Sequence, residues 1–361
     1  MPQSVSIYFL RQRESGSAVW DSCQRTVISM ASIILGIGTS HSPLLPLTAA
    51  EWVERASDDK QSKRLNLSDG RFLSYAQLEA EVQSRYADRA NPEQFRLQWE
   101  ASQRALDRLA DEIEVAQPDV VLIVGDDQEE LFRKTNTPAL AVFYGAEITT
   151  RPLDSIDYVP RWLLSTGVGT GYGMDAARTY PGASDFGRYL IEQLVEEGID
   201  VAAVSAIEDP NKQALGHAYG FVIERLFRKR RLPVLPLLLN TYYPPNTPTP
   251  ERCYHIGQLL RRAIERDPSN RRVAIIASGG LSHFVCDEDL DRRVLDAIQA
   301  GDANALKRLP RSALNAGSSE IRNWIMVAAA MEGRSCKWVE YVPVHRTPAG
   351  TGIGLAFLAW E

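Results

Sequence analysis

The amino-acid sequence predicts an α/β protein with a doubly wound, mostly parallel sheet and helices on both of its faces. Short runs of β-branched and aliphatic residues, such as 120–124 and 273–277, lack polar alternation and are typical of strands covered on both sides. Longer segments between these runs carry apolar residues every three or four positions, which is typical of helices. Strands that alternate with helices in this way favour a parallel sheet.

The predicted elements follow one another from residue 31 to the end of the chain. Strands are expected at 32–38, 119–125, 139–144, 201–205, 232–239, 273–277, 337–344 and 350–357. Helices are expected at 49–60, 74–115, 184–197, 217–227, 251–266, 288–300, 303–309 and 318–331. Ser318 or Ser319 is expected to be the N-cap of the last helix. Residues 150–184, rich in Gly, Pro and Thr, are expected to form a long ordered loop or lid.

Composition and charge exclude several functional classes. A net charge of -6 and a pI near 5.6 argue against a nucleic-acid-binding face, which would need to be basic. No apolar run reaches the roughly 18 residues of a membrane span. The 4 cysteines show no metal-ligand spacing, so a reduced, cytoplasmic protein is expected.

The first 29 residues differ from the rest of the chain. They are polar and of mixed composition, and they lack the continuous apolar segment of a secretory signal. Met30 is followed at once by the first predicted strand. We therefore expect Met30 to be the natural start, residues 1–29 to be a disordered N-terminal extension, and residues 30–361 to form a single domain.

Polar side chains stand where three predicted strands end. They are His41, the group Asp126, Asp127 and Gln128, and His283. Ligands of open α/β sheets bind outside the carboxyl ends of the strands, so these side chains are candidates for one site. Histidine and carboxylate without cysteine are the ligands typical of non-haem iron or a similar divalent ion. His283 follows two glycines, which allow a substrate to approach closely, and is a candidate acid/base group.

Each candidate also has a purely structural interpretation. His283 could be a loop histidine bonded to the backbone, and His41 could be a turn histidine before Pro43. Glu320 lies in a Ser-rich turn before an apolar run, where it could complement the helix dipole instead of binding a metal. The pattern of residues alone leaves these alternatives open.

Four motifs, in order over about residues 31–360, resemble those of the class III (LigB-type) extradiol ring-cleavage dioxygenases. That family includes protocatechuate 4,5-dioxygenase, gallate dioxygenase and 2,3-dihydroxyphenylpropionate dioxygenase. The motifs are TSHSPLL at 39–45, the strand and turn at 119–132, SGGLSH at 278–283 and SEIRNW at 319–324. The resemblance implies that His41 and Glu320 are metal ligands and that His283 is the catalytic histidine. It also implies Fe(II) as the cofactor. Mn(II) or another divalent metal is the alternative, because the amide oxygen of Gln128 would favour a harder ion than an imidazole does.

Two departures from the family pattern concern further histidines. Where the family has Asp-His after the second strand, with the histidine as a metal ligand, this chain has Asp127-Gln128, and glutamine is the harder and weaker ligand. Three alternatives follow: Gln128 binds through its amide oxygen, Asp126, Asp127 or Glu129 replaces it, or the site is vacant. Where the family has Asp-His-Gly, residues 208–211 lack a histidine. His217 lies just beyond, either as a substitute or as a core or capping residue.

These observations predict a metal-dependent extradiol dioxygenase that cleaves a catechol, a gallate-like compound or an aminophenol with O₂. The expected site consists of the metal ligands His41, Gln128 and Glu320, the catalytic residues His283 and His217, and the substrate contacts Asp127, Tyr242 and Tyr243. The alternatives are a non-catalytic or regulatory partner subunit of an active homologue, and a metal enzyme on the same scaffold that does not use O₂. A homodimer or higher oligomer is expected, and a second kind of subunit is an alternative. Neither nucleic acid nor a membrane is expected as a partner.

Overall fold

The computed structural model describes residues 29–156, 159, 161–164 and 166–361. The predicted N-terminal extension, apart from Ser29, lies outside these residues. The prediction of a single domain over residues 30–361 stays a prediction. None of the helices in the described part of the chain combines the length and the hydropathy that a transmembrane segment requires.

The elements of the described residues alternate as the sequence predicts. The strands are β1 (Ser32–Thr39), β2 (Leu65–Asn66), β3 (Phe72–Leu73), β4 (Val120–Gly125), β5 (Leu140–Phe143), β6 (Glu147–Thr150), β7 (Arg178–Pro181), β8 (Ala202–Val204), β9 (Val234–Leu239), β10 (Arg272–Ser278), β11 (His283–Val285), β12 (Cys336–His345) and β13 (Thr351–Trp360). The helices are α1 (Trp52–Asp59), α2 (Tyr75–Val82), α3 (Pro92–Ala116), α4 (Arg161–Leu164), α5 (Val168–Gly171), α6 (Ser184–Glu196), α7 (His217–Leu226), α8 (Pro250–Glu265), α9 (Glu288–Ala300), α10 (Ala303–Lys307) and α11 (Ile321–Ala330).

One large sheet organises the described chain, in the strand order β11-β13-β1-β10-β4-β9-β5-β8, with β12 paired to β13. Its centre is parallel, because β1 pairs with β10, β10 with β4, and β4 with β9 in that sense. Towards one edge, β13 runs antiparallel to β1, and β11 and β12 run antiparallel to β13. The predicted α/β class with a central, mostly parallel sheet is confirmed.

Two hydrophobic cores cover the two faces of this sheet. Along β4, Val120, Leu122 and Val124 pack into the core formed with α6, α8, α9 and α11, whereas Val121 and Ile123 pack into the core formed with α3 and α7. Both faces of β4 are therefore buried, which explains why its sequence lacks polar alternation.

The predicted helix at 74–115 is wrong in its middle, where the chain forms two helices. α2 ends before Gln83, which has a left-handed φ of 51°. α3 begins at Pro92. Asn91 is its N-cap, because the Asn91 side chain accepts a hydrogen bond from the backbone N–H of Gln94. Proline suits a first helical position because it has no N–H to leave unpaired.

The contact between α8 and α11 requires a residue without a side chain. A Cβ atom at Gly257 would lie 2.1 Å from the backbone oxygen of Met326 and 2.8 Å from Cβ of Ala329. We expect Gly257→Ala to lower the free energy of unfolding by roughly 1–3 kcal/mol, because the two helices would have to separate. Gly167→Ala is the matched control, since its Cβ would meet nothing within 4 Å. Urea denaturation of both variants checks this, and equal unfolding midpoints would contradict it.

Candidate metal centre and active site

His41 lies two residues beyond the end of β1 and presents one ring nitrogen to the site. Its Nδ1 lies 2.9 Å from Oγ of Ser278 at the end of β10. The Ser278 hydroxyl donates its only hydrogen to the carbonyl of Ala218, at 2.6 Å. The Nδ1 atom of His41 must therefore be the donor to Ser278, which leaves a lone pair on Nε2. Burial lowers the pKa of His41 to about 4, so the ring is neutral at pH 7 and able to bind a metal.

Glu320 places a charged carboxylate beside this nitrogen. Its Oε2 lies 3.5 Å from Nε2 of His41 and accepts a hydrogen bond from the backbone N–H of Gly280 at 2.7 Å. Its Oε1 accepts one from the Tyr242 hydroxyl at 3.2 Å. Burial alone would raise the pKa of Glu320, but the histidines His283 and His41 and the Gly280 N–H lower it to about 2. Glu320 makes no capping hydrogen bond to α11, so the capping interpretation is not supported.

Asp126, which follows β4, completes a group of three possible ligands. Within the described residues, one ligand atom each from His41, Asp126 and Glu320 lie within 4.8 Å of one another, and all three residues are buried. Burial and the charge of Glu320 raise the pKa of Asp126 to about 7. Two buried carboxylates this close repel each other, and a divalent cation between them would remove that repulsion. The imidazole and carboxylate donors therefore fit a divalent metal ion.

Gln128, the residue at the position of the family's histidine ligand, contacts this group through Asp126. Its Nε2 donates to Oδ2 of Asp126 at 3.1 Å, and its side chain lines the same cavity as His41 and Glu320. Asp126, one of the replacements considered above, thus stands in the three-residue group. The role of Gln128 as a metal ligand stays a prediction.

Asp127 was predicted to contact the substrate, but its carboxylate bonds to the backbone of the turn after β4. Its carboxylate oxygens accept hydrogen bonds from the backbone N–H groups of Leu131 and Phe132, at 2.8 and 3.0 Å. Asp127 is not among the described residues that line the cavity. Its carboxylate therefore stabilises the turn after β4, and this geometry gives no support to a role in substrate binding.

His283 is fixed in position by the carbonyl of Leu281 and by a glycine. Its Nδ1 lies 3.0 Å from the carbonyl of Leu281, which can only accept, so Nδ1 carries a proton. Its Nε2 lies 3.4 Å from Oε1 of Glu320. A Cβ atom at Gly317 would lie 1.8 Å from Cδ2 of the ring, so only glycine leaves room for the imidazole.

The backbone around His283 is held by two polar side chains that sequence reasoning missed or misassigned. Ser318, predicted as a helix N-cap, instead accepts a hydrogen bond from the His283 N–H and donates one to the His283 carbonyl. That prediction is wrong because Ala316–Glu320 forms a 3₁₀ turn that leads straight into α11. Asn66 donates to the same carbonyl at 2.9 Å and accepts from the N–H of Phe284.

His217, the first residue of α7, forms an ion pair with Glu130. Its Nδ1 lies 2.5 Å from Oε1 of Glu130, and its backbone N–H donates to the same oxygen at 3.2 Å. Burial alone would lower the pKa of His217, but the charge and hydrogen bond of Glu130, together with Asp126 and Glu320, raise it to about 9. His217 is therefore an imidazolium at neutral pH, with its ring centroid 4.9 Å from that of His41.

Glu130 was missed by sequence reasoning. It lies in the acidic run after β4, where neighbouring residues have the same chemistry and nothing local distinguishes one from another. The one feature of the sequence that reflects its contact with α7 is the glycine at position 216. A Cβ atom at Gly216 would lie 2.3 Å from the carboxylate carbon of Glu130.

Five of these side chains, His41, Gln128, His217, His283 and Glu320, line a cavity of about 220 Å³. It is lined by His41, Ser42, Pro43, Leu44, Arg55, Gln128, Leu163, His217, Tyr242, Gly280, His283, Phe284, Glu320, Arg346 and Ile353. Drug-sized ligands occupy roughly 300–1,000 Å³, so the volume suits a smaller compound with one ring. Of the two predicted tyrosines, Tyr242 lines the cavity, whereas Tyr243 does not, and Nζ of Lys134 lies 5.3 Å from the Tyr243 ring centroid.

The charge of His217 gives a testable dependence on Glu130. We expect Glu130→Gln to lower the pKa of His217 from about 9, because burial is then opposed only by the charges of Asp126 and Glu320. Since the folded-state pKa is raised, the ion pair stabilises the fold fully below pH 6.5 and loses this effect as the pH rises through about 9. NMR titration of the His217 ring in metal-free protein measures the shift.

The control for this titration is Glu129→Gln, which removes a neighbouring carboxylate that pairs with exposed Lys134. We expect this variant to leave the His217 titration unchanged. A His217 pKa that responds equally to both substitutions would contradict a specific ion pair with Glu130.

Comparison with known proteins identifies a family for the chain. Residues 86–356, three quarters of the chain, match the family described as the catalytic LigB subunit of aromatic ring-opening dioxygenase. The matched segment includes Asp126, His283 and Glu320 but begins after His41. A segment of 55 residues is 49% identical to gallate dioxygenase of Pseudomonas putida and covers 15% of this chain. It spans only 16% of the length of that relative. The family match confirms the resemblance noted in the sequence, and the chain belongs to the LigB family of aromatic ring-opening dioxygenases.

Proposed function

We propose that this protein is a non-haem Fe(II)-dependent extradiol dioxygenase that opens the ring of a small catechol, gallate-like compound or aminophenol with O₂. The observation that carries the proposal is the convergence of His41, Asp126 and Glu320, of which His41 and Glu320 line a small cavity. His283 and His217 line the same cavity and offer groups for proton transfer. Membership of the LigB family supports the reaction class.

The donor set suits iron, and each residue of the site has a distinct role in holding the ion. His41 through Nε2 and the carboxylates of Asp126 and Glu320 would hold the ion, with Gln128 orienting Asp126. When bound, Fe(II) supplies the electron transfer between the aromatic ring and O₂. Two carboxylates and one imidazole form a harder donor set than two imidazoles and one carboxylate, so Mn(II) is the alternative metal.

His283 is suited to accept a proton from a substrate hydroxyl. Its Nδ1 donates a hydrogen bond to the carbonyl of Leu281. Nε2, which lies 3.4 Å from Oε1 of Glu320, is therefore the nitrogen that can accept a proton. Once Nε2 is protonated, the carboxylate of Glu320 at 3.4 Å stabilises the resulting imidazolium. A base of this kind favours the ionised substrate, which is the form that binds a metal ion more tightly.

His217 is suited to the opposite task. It is already protonated at neutral pH, because Glu130 raises its pKa to about 9. A cationic imidazole cannot bind a metal, but it can donate a hydrogen bond or a proton to an oxygen atom that gains negative charge. The cavity thus contains one histidine able to accept a proton and another able to donate one, as acid/base chemistry at one pH requires.

Three further predictions from the sequence belong to this proposal. A cytoplasmic location and a homodimer or higher oligomer stay predictions. The interpretation as a non-catalytic partner subunit assumed that the metal site is vacant. The group of His41, Asp126 and Glu320 argues against it, since a site without function has no physical reason to bury two neighbouring carboxylates.

Removal of the proposed base separates catalysis from metal binding. We expect His283→Ala to reduce kcat by about 10²–10⁴-fold while the bound metal per protein stays constant, because His41, Asp126 and Glu320 remain. Steady-state O₂ consumption at saturating substrate and metal analysis of the same samples measure both quantities. His255→Ala is the control, since His255 is exposed on α8. Undiminished turnover in His283→Ala would remove this residue from the mechanism.

Oxygen uptake tests the activity itself. The protein is loaded anaerobically with Fe(II) and then mixed with O₂ and a panel of catechols, gallate and aminophenols. We expect uptake of one O₂ per substrate with a coloured ring-opened product. Bound metal without uptake on any substrate would favour a metal enzyme that does not use O₂, and absence of both metal and uptake would favour the partner subunit.

A further inference from the structure

A second cavity, separate from the one beside the metal-binding group, contains three cationic side chains. Its volume is about 370 Å³, and the described residues that line it are Glu129, Leu131, Arg133, Arg151, Ser155, Asn211, Lys212 and Gln213. None of these residues lines the cavity beside the metal-binding group. The proposed ring cleavage therefore gives the second cavity no role.

Three separate segments of the chain form the second cavity. Residues 129–133 belong to the turn after β4, Arg151 directly follows β6, and residues 211–213 precede α7. Residues 208–211 stand where the family has its Asp-His-Gly segment, and they contain no histidine. This departure from the family pattern and the second cavity thus involve the same part of the chain.

Arg151 places a buried positive charge in the wall of the second cavity. The residue is only 8% exposed. Its Nη1 donates a hydrogen bond to the carbonyl of Asn211 at 2.8 Å, which is its only acceptor in the described part of the chain. Its Nε is buried without any acceptor. Buried donors of this kind are rare in proteins, and each one calls for an explanation.

The other two buried arginines of the described residues are better satisfied. Arg346 has a buried carboxylate partner, because its Nε lies 2.7 Å from Oδ2 of Asp59. Arg322 donates hydrogen bonds to three backbone carbonyls. Arg151 has neither a carboxylate nor a set of carbonyls around it, although burial makes an uncompensated charge costly. A bound anion would compensate this charge.

The remaining charged groups of the second cavity add to its positive character. The Arg133 guanidinium is exposed and pairs with no carboxylate among the described residues. Lys212 lies 2.9 Å from Asp209, but its side chain is 68% exposed, so solvent screens this pair. Glu129 is the one carboxylate among the described lining residues, and it already pairs with Lys134 at 2.8 Å. Three cations and one carboxylate favour a ligand with more than one negative charge.

We propose that the second cavity binds a small oxyanion with two or more negative charges, either a phosphate or a dicarboxylate. Arg151 is the central donor, because its planar guanidinium can bond two oxygens at once and an anion would supply the acceptor that Nε lacks. Exposed Arg133 and Lys212 add charge on the same cavity. The volume of about 370 Å³ falls within the range of roughly 300–1,000 Å³ that is usual for ligand sites.

Calorimetric titration tests the proposal independently of any catalytic activity. The full-length protein, without added metal, is titrated with inorganic phosphate and, separately, with succinate, at an ionic strength kept constant with chloride. We expect one ion of at least one kind to bind per chain. Binding of phosphate alone would identify a phosphate site, and binding of succinate alone a dicarboxylate site. Absence of binding by both ions would overturn the proposal.

Variants assign the binding to this cavity. We expect Arg151→Met to weaken it on the order of tenfold or more, because the substitution removes charge-assisted hydrogen bonds. Arg64→Met is the matched control and should bind like the wild type, since Arg64 is exposed, lines neither cavity and stacks 4.2 Å from the Phe72 ring. Equal affinity in Arg151→Met and the wild type would overturn the proposal.

A second variant keeps the test valid if Arg151→Met does not fold. Arg133→Met changes an exposed side chain on the same cavity and should leave the fold intact. We expect it to weaken binding of the same ion, because it removes one of the three positive charges. An affinity equal to that of Arg64→Met would contradict binding in the second cavity.

Discussion

The buried charge of Glu320 is the constraint on which the rest of the site depends. Its carboxylate is held by the N–H of Gly280 and the hydroxyl of Tyr242, and it faces the rings of His41 and His283. These contacts keep it ionised at neutral pH, because its pKa is lowered to about 2. Burial and the charge of Glu320 raise the pKa of Asp126, because the surrounding side chains only partly neutralise two buried carboxylates that lie close together. A divalent cation is the simplest group that satisfies both.

The parallel sheet brings the metal-binding side chains together. Register pairs Thr39 of β1 with Ser278 of β10, and Ala277 of β10 with Val124 of β4, so the three strands end at one edge. His41 and Asp126 follow these strand ends, which is where open α/β sheets bind their ligands. α11 then fixes the turn after β10, since Asn323 donates to the carbonyl of Ser278 and Trp324 to that of Gly279, both at 2.8 Å.

The sequence predicted the residues whose position follows from local pattern and strand order. His41, His283 and Glu320 follow or precede regular elements, so their meeting at one sheet edge could be predicted. The choice between Asp126 and Gln128 could not, because it depends on how the chain leaves β4 and on which side chain bonds the backbone of the next turn. The ion pairs of Glu130 with His217 and of Asp59 with Arg346 join residues 87 and 287 positions apart. Contacts of that range leave no periodic signal in a single sequence.

Anomalous diffraction can show whether His41, Asp126 and Glu320 form a metal centre. Crystals loaded anaerobically with Fe(II) are measured on both sides of the iron absorption edge. We expect a single strong anomalous peak at about 2 Å from Nε2 of His41 and from carboxylate oxygens of Asp126 and Glu320. The same density would show whether Gln128 also reaches the ion. A peak elsewhere in the molecule, or none at full iron loading, would contradict the account.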